Sequence, residues 1–252
     1  MPSHKIGSFM VTTTDTSYAE IIERDGFTVL ADALDEALIS ELETTIGAVT
    51  SGDGVYDRGG VYAIRNLLKL APDVKNALRA PKVRDVVESV LGRDAMLVRG
   101  LYFDKSPRAN WAVSWRQDAT VTVKARGEVN GFGQWSTKAG VQHVMAPPGF
   151  LATMLTMRLH LDDCGENQGR LKAISASHQY GRLPVDSIGQ FTGVGEVTCS
   201  VPQGGLLALR PLLIHASDAA KGPGSRRVIQ FEFCARKLPL PLEWYEAYPV
   251  FD

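Results

Sequence analysis

Residues 206–233, LLALRPLLIHASDAAKGPGSRRVIQFEF, carry the pattern that decides the fold of this chain. Two short runs, 206–209 and 226–233, are apolar or alternate between apolar and polar residues, and the turn Gly222-Pro223-Gly224 lies between them. Short runs with glycine and proline between them are typical of the strands of a β-sandwich or barrel. The stretch therefore predicts two strands of such an architecture.

The same pattern continues towards the N-terminus as far as Gly92. Four further runs have this strand-like character, with turn-rich segments between them: residues 96–103, 119–124, 151–161 and 197–201. Together these runs predict a mainly β core over residues 93–238. Residues 239–252 are predicted to form a C-terminal tail.

The first 92 residues follow a different pattern and predict a largely helical flank. Apolar residues at helical spacing indicate helices over 15–25, 35–49 and 72–91, the last one interrupted near Pro81. A strand is predicted at 27–30, and the four glycines within 51–60 predict a loop. No linker-like composition divides the chain, so one domain over residues 1–252 is predicted.

Composition excludes several classes of function. The 252 residues are 44% hydrophobic and 22% charged, which is ordinary for a water-soluble globular protein. A formal net charge of −1 gives no electrostatic footprint for nucleic acid or for an anionic membrane. Three cysteines without C-x-x-C spacing disfavour a structural zinc site. The sequence contains no run of 18 apolar residues, so no membrane span is predicted. We therefore expect a cytoplasmic protein, and its oligomeric state is not readable from sequence.

Polar residues among the apolar runs can carry chemistry together. Asp118 follows an aromatic-rich segment, His215 ends the apolar run 212–215, and Arg226 stands eleven residues later. A non-haem Fe(II) oxygenase uses two neutral imidazoles and one carboxylate, and leaves one face open for oxygen and a chelating co-substrate. An arginine can hold the far carboxylate of 2-oxoglutarate in bidentate fashion, and a hydroxyl such as that of Ser217 can add a hydrogen bond. The triple alone is weak, because such triples arise by chance.

A longer succession of motifs makes the pattern specific. In chain order the motifs are Asp25-Gly26-Phe27, Arg99 to Lys105, Asn110-Trp111, Trp115-Arg116-Gln117-Asp118, residues 158–163, Asn167-Gln168-Gly169-Arg170-Leu171, Ser177-His178, residues 210–215 and Arg226-Arg227. In this order they resemble the phytanoyl-CoA dioxygenase family of Fe(II)/2-oxoglutarate oxygenases, especially its bacterial members, over most of the chain. The resemblance implies a double-stranded β-helix (jelly-roll) core with helices packed on one side.

The resemblance also implies roles for individual residues. Fe(II) is the implied cofactor, with 2-oxoglutarate as co-substrate. Two groups follow, the iron ligands Asp118 and His215, and the co-substrate-binding residues Arg226, Ser217, Arg158 and Gln117. Arg226 and its neighbour Arg227 alternate along a strand, so one faces the interior and one faces outwards, and the spacing favours Arg226 for the interior.

The departure from the family is Arg116, which stands where the family has the histidine of a His-Gln-Asp run. A guanidinium stays protonated and offers no lone pair, so it cannot replace an imidazole ligand. It also places positive charge where a divalent cation should lie. Position 116 is therefore decisive for catalysis, and a plain structural ion pair between Arg116 and Asp118 is an open alternative.

Other polar residues have less specific interpretations. Candidates for contact with the substrate are Lys105, Trp135 and His143. His143 lies in the loop-like stretch 141–148. It is either an ordinary loop histidine or, if its side chain rotates inwards, a substitute iron ligand. His160 and Asp162 share strand parity with Arg158 and line either the cavity or an outer edge. His178 is predicted to order the loop after Ser177, and His4 has no predicted role.

Two hypotheses from different classes follow. The first is an Fe(II)/2-oxoglutarate-dependent oxygenase that hydroxylates a small molecule, with iron held by Asp118 and His215. The second is a non-catalytic relative, in which Arg116 occupies the metal position and the pocket binds an anionic small molecule. A third possibility is a different reaction in a rearranged site, or an Arg116 that was introduced deliberately. The substrate should be shaped by the loops at 51–60, 125–148 and 181–196, and sequence does not identify it.

Overall fold

A computed structural model describes residues 17–251 of the chain, so the predictions for His4 and for residues 15–16 lie outside the described residues. The helices are α1 (Tyr18–Asp25), α2 (Glu36–Gly47), α3 (Leu67–Leu70), α4 (Pro81–Leu91) and α5 (Pro148–Leu151), with 3-10 helices at Pro72–Arg79, Ser177–Tyr180 and Val185–Phe191. Ser17 begins α1 through a reciprocal capping box with Glu20, and Gly26 ends it in the left-handed conformation. Asp35 caps α2 by accepting from the Leu38 N–H.

Fifteen strands build the rest of the described chain. They are β1 (Phe27–Leu30), β2 (Val55–Asp57), β3 (Val61–Ile64), β4 (Met96–Lys105), β5 (Val113–Arg116), β6 (Thr120–Val123), β7 (Gly133–Lys138), β8 (Val141–Met145), β9 (Met154–His160), β10 (Leu171–Ile174), β11 (Glu196–Cys199), β12 (Leu206–Leu209), β13 (His215–Ser217), β14 (Arg226–Cys234) and β15 (Tyr248–Pro249). The prediction of a mainly β protein is confirmed.

The largest sheet has the order β1-β12-β9-β14-β4-β3-β2, with β15 added on β4, and all its pairs are antiparallel. Because side chains alternate along a strand, each strand gives one set of residues to each face. On β14, Ile229, Phe231 and Phe233 pack into the helix-covered core. The side chains of the other parity, Arg226, Gln230 and Glu232, line a cavity on the opposite face.

Two smaller sheets complete the core. A four-stranded sheet, β11-β10-β13-β5, packs over the inner face of the large sheet, where Leu171 and Ala173 meet Leu207 and Leu209. A three-stranded sheet, β6-β8-β7, packs with α5 and Trp244 in a separate apolar cluster. The cavity therefore lies between the large sheet and the strand that ends at Arg116.

Several boundaries differ from the predictions. Residues 51–60, predicted as a loop, contribute β2 to a hairpin with β3, and part of the predicted loop 125–148 forms the hairpin of β7 and β8. The tail at 239–252 contains β15, which pairs with β4, and buries Val250 and Phe251 in the main core. Within residues 17–251, no helix is both long and apolar enough to cross a bilayer.

Candidate active site

Arg116 and His215 lie opposite each other although they are ninety-nine positions apart in sequence. The antiparallel pair β5–β13 places Arg116 in register with His215, so side chains of both residues stand on the same side of the sheet. His215 ends an apolar run in the sequence but begins a strand in the structure. Arg116 ends β5 and His215 begins β13, and these two ends lie side by side because the strands are antiparallel.

Asp118 joins this pair just beyond the end of β5. Its backbone N–H donates to the Pro211 carbonyl at 2.9 Å, which fixes the segment between β5 and β6. Its carboxylate lies 3.0 Å from Arg116 Nη2 and 3.5 Å from His215 Nε2. Burial disfavours ionisation, but nearby positive charge, that of His215 when it is protonated and the permanent charge of Arg116, outweighs it and holds the Asp118 pKa below its usual value. The group is therefore a carboxylate at neutral pH.

His215 presents a lone pair to this carboxylate. Its Nδ1 donates to the Leu213 carbonyl at 2.9 Å, which leaves Nε2 as the unprotonated nitrogen of the neutral ring. Burial lowers the His215 pKa in spite of the raising effect of Asp118, so the neutral ring is favoured. Two electron-pair donors, His215 Nε2 and Asp118 Oδ2, thus face each other, as they would around a cation.

The third donor of an iron site is missing from the described residues. Among residues 17–251, no group of three His, Cys, Asp or Glu side chains lies together in a way that could hold a metal ion. Arg116 lies beside His215 and its side chain is half exposed. It forms an ion pair with Asp118, which is the alternative that the sequence left open. Two donors fit Fe(II), and the guanidinium does not.

Gln117 points away from the three residues just described. Its side-chain amide donates to the carbonyls of Gly181 and Leu212, both at 2.7 Å, and its oxygen accepts from the Leu183 N–H at 2.8 Å. Gln117 is absent from the cavity lining. Its side chain therefore ties the 181–183 loop to the segment before β13. Gln117 was predicted to bind the co-substrate, but in this position it does not reach the cavity.

Arg226 provides a buried cation in the lining of the same cavity. Its residue is 3% exposed, and its Nη1 donates to the Gly169 carbonyl at 2.7 Å. Its Nε has no hydrogen-bond partner among the described residues. A buried N–H without a partner is costly, so this guanidinium fits an anionic oxygen supplied by a ligand. Arg227 faces outwards and pairs with Asp162 and Glu43, as strand alternation predicted.

Lys105 lies beside Arg226, because β4 and β14 place the two residues in register. Its Nζ donates to Ser217 Oγ and to the Asp218 carbonyl, both at 2.8 Å, and the residue is 1% exposed. Burial, followed by the charge of Arg226, lowers the Lys105 pKa to about 7. Lys105 was predicted to contact substrate. The structure instead groups it with Arg226 and Ser217, the residues expected to hold the co-substrate.

Arg158 and the volume of the cavity also bear on what it can bind. Arg158 on β9 lines the cavity, its Nε donates to Gln230 Oε1 at 3.2 Å, and burial lowers its pKa to about 10. The cavity has a volume of about 230 Å³ and contains Asp118, Arg116, Ser217 and Arg226 in its lining. That volume suits a small organic acid, and its cations suit a carboxylate at each end.

The remaining predicted residues lie elsewhere. Trp135 packs beside the apolar cluster of α5, with Arg126 over its ring, and does not line the cavity. His143 is buried on β8 rather than in a loop, and lines a small cavity next to the main one. His160 is buried on β9 and absent from the lining, and the ring of His178 lies near the Glu23 carbonyl.

Sequence reasoning missed three cations that line the same cavity: Arg65, Arg99 and Lys138. They come from three separate segments of the chain and share no motif, so only the folded arrangement shows them together. Arg99 was quoted as part of a familial run without a role of its own. Lys138 lay in the predicted loop 125–148, and Arg65 lay in a stretch to which no element was assigned.

Comparison with known proteins gives one family match. A sequence profile described as "Phytanoyl-CoA dioxygenase (PhyH)" matches residues 22–228. None of the curated proteins compared with the chain matches it.

Solved structures share the fold at low sequence identity. AviO1 from Streptomyces viridochromogenes Tue57 is 21% identical with a TM-score of 0.64, over 90% of this chain and 99% of that one. The apo form of EctD from S. alaskensis is 16% identical with a TM-score of 0.70, over 96% and 90%. HygX from Streptomyces hygroscopicus, with nickel and 2-oxoglutarate bound, is 13% identical with a TM-score of 0.61, over 90% and 87%. With the antiparallel sheets, these likenesses confirm the jelly-roll core.

Proposed function

Since the chain belongs to the phytanoyl-CoA dioxygenase family, we propose that it is an oxidoreductase of the Fe(II)/2-oxoglutarate-dependent oxygenase type that hydroxylates a small molecule. The observation that carries the proposal is one cavity lined by both Asp118 and the buried Arg226. His215, which is buried next to this cavity lining, contacts the Asp118 carboxylate at 3.5 Å. On the same fold, HygX was crystallised with nickel and 2-oxoglutarate.

The chain's own residues would bind and orient the co-substrate. Arg226 and Lys105 would hold its distal carboxylate, with Ser217 relaying a hydrogen bond to Lys105. Arg158 would add positive charge along the cavity wall. Asp118 and His215 would hold Fe(II), and bound Fe(II) would supply the oxygen activation that hydroxylation requires. Arg116 must leave Asp118 for this to happen, which weakens the iron site.

A second candidate function is supported by the 3.0 Å ion pair between Arg116 and Asp118. In this reading Arg116 neutralises the carboxylate in place of a metal ion. The cavity then binds a small dicarboxylate through Arg226 and Arg158 without catalysis. The two functions share the anion site, but only the oxygenase requires a bound metal ion.

Iron content and 2-oxoglutarate turnover distinguish the two functions. The native chain and Arg116→His are loaded with Fe(II) without oxygen, and then assayed for bound iron and for succinate formation on addition of oxygen. Stoichiometric iron and succinate from the native chain support the oxygenase, and Asp118→Ala should abolish both. Activity in Arg116→His alone rejects the oxygenase function for the native chain and supports the non-catalytic relative.

A further inference from the structure

A second group of cations lies in the cavity, apart from the group that includes Arg226. Arg65 directly follows β3, Arg99 lies on β4, and Lys138 ends β7. These three residues line both the main cavity and the small cavity beside it, whereas Lys105 and Arg226 line the main cavity alone. The three cations therefore mark a separate region of the site, where the two cavities adjoin.

A buried side chain holds this region in place without any ligand. Asn66 is 4% exposed, and its Nδ2 donates to the carbonyls of Asp53 and Ala139 at 3.0 and 3.2 Å. The residue next to Arg65 is thereby tied to the turn that follows Lys138. Gly54 lies against the same turn, and a Cβ there would come within 3.0 Å of the Ala139 Cβ. The positions of Arg65 and Lys138 are thus built into the fold.

The positive charge of the three residues is incompletely neutralised. Arg99 pairs with Glu232 at 3.1 Å, and both side chains are nearly buried. Within the part of the chain that the structure describes, Arg65 and Lys138 form no ion pair with a carboxylate. Burial, and then Arg99 and Arg65, lower the pKa of Lys138, as expected for like charges held close together. An anion placed among them would relieve this repulsion.

His143 adds an independent observation in the small cavity. The residue is 2% exposed, and its Nδ1 has no hydrogen-bond partner among residues 17–251. Burial, and then the charges of Arg99 and Lys138, lower the His143 pKa to about 3, so the ring is neutral. In the tautomer that carries its hydrogen on Nδ1, this neutral imidazole can donate to an oxyanion at the edge of the cavity.

We propose that Arg65, Arg99 and Lys138 form a second anion-binding site, which takes the carboxylate or phosphate group of the primary substrate while 2-oxoglutarate occupies Arg226. The assignment of 2-oxoglutarate to Arg226 rests on the proposed function. Guanidinium forks match both oxyanions in bidentate fashion, and the ammonium of Lys138 adds a point charge. The substrate is accordingly an anionic small molecule whose charged end lies by Arg65 and whose reacting carbon lies towards Asp118.

Two small probes test this site in the native protein. Inorganic phosphate and benzoate are titrated calorimetrically into the chain saturated with 2-oxoglutarate. The same titrations use the double variant Arg65→Gln/Lys138→Gln and, as matched control, Arg58→Gln/Lys124→Gln, which removes two exposed cations outside the cavity. Thermal melts check that each variant is folded. Arg65→Lys keeps the charge, loses the planar fork, and should bind the probes with intermediate affinity.

The proposal expects at least one probe to bind alongside 2-oxoglutarate, and the double variant to bind it about tenfold or more weakly. The tighter probe shows whether the substrate's charged group resembles phosphate or carboxylate. The control and the affinity for 2-oxoglutarate should be unchanged. Competition between probe and 2-oxoglutarate, equal binding by the double variant, or no binding to the native chain overturns the proposal. Failure of 2-oxoglutarate alone to bind refutes the proposed function, and probe binding that depends on Arg65 then leaves the anion site standing.

Discussion

The affinity for 2-oxoglutarate should depend on pH through Lys105. This lysine is buried beside Arg226, and burial together with the neighbouring charges lowers its pKa from 10.5 to about 7. A carboxylate bound between Arg226 and Lys105 favours the charged ammonium. Binding should therefore draw a proton onto Lys105 whenever the pH is above about 7, and the affinity should fall as the pH rises.

The size of the effect follows from the pKa. At pH 8 a group with a pKa of about 7 is about nine-tenths neutral, so close to 0.9 proton should be taken up per ligand bound. The dissociation constant should then rise about tenfold per pH unit above pH 8, until the pKa of the complex is reached. The lowered pKa of Lys105 also affects stability. Between about pH 7 and pH 10.5 this lysine is protonated in the unfolded chain but not in the folded one, so its contribution to the free energy of unfolding increases as the pH rises.

Calorimetry measures this uptake directly. Titrations of 2-oxoglutarate at pH 8 in two buffers with different ionisation enthalpies give the number of protons bound. Lys105→Met, of similar length and without a charge, should bind more weakly at pH 6.5 and show little uptake at pH 8. A native chain that takes up no proton at pH 8, or a variant that takes up as many, would refute the reasoning.

Four further predictions concern single residues. Arg116→His should bind Mn(II) about 30-fold more tightly, because removing one charge about 4 Å from a divalent ion relieves about 2 kcal/mol even with water-like screening. Arg116→Met isolates this charge effect, and unchanged affinity in both variants contradicts it. Arg226→Met should weaken the binding free energy of 2-oxoglutarate by about 3 kcal/mol, because two charge-assisted hydrogen bonds disappear. In calorimetry this is a rise of about 100-fold or more in the dissociation constant. Arg227→Met, the outward neighbour, should keep that affinity, and an equal loss would argue against a specific role for Arg226. Gln117→Leu should lower the free energy of unfolding in urea by about 2 kcal/mol, because three backbone partners lose their bonds, and an unchanged midpoint would show that the loop is held otherwise. Gly169→Ala should lower both the melting temperature and the affinity for 2-oxoglutarate. Gly169 has φ +62°, and a Cβ there would overlap the Asp218 carbonyl that accepts from Lys105. Wild-type values for both would disprove that crowding.

The strand β14 was predictable from sequence because one of its faces packs in the apolar core while the other lines a polar cavity, and this produces a period of two. Residues 226–233 alternate, and the structure extends this strand only to Cys234. The hairpin of β2 and β3 escaped prediction since its four glycines outweigh a strand of three residues. The strands β5 and β13 are short and polar, so their sequences carry little strand signal.

The candidate site was predictable where one strand contained the information. Alternation indicated that one of Arg226 and Arg227 faces inwards, the spacing favoured Arg226, and the structure places them so. The location of Lys105 depends on the register between two strands that lie more than 120 residues apart, and no local pattern encodes it. The group of Arg65, Arg99 and Lys138 depends on three strands, and for the same reason only the fold brings it together.

The register of β5 against β13 also bears on the history of this site. Whatever side chain stands at position 116 lies opposite His215, because backbone hydrogen bonds and not the side chain fix that pairing. Arginine codons CGT and CGC differ from histidine codons at a single base. From either of those codons, losing or regaining a third donor takes one mutational step on an unaltered backbone, and the pocket around the position need not be rebuilt.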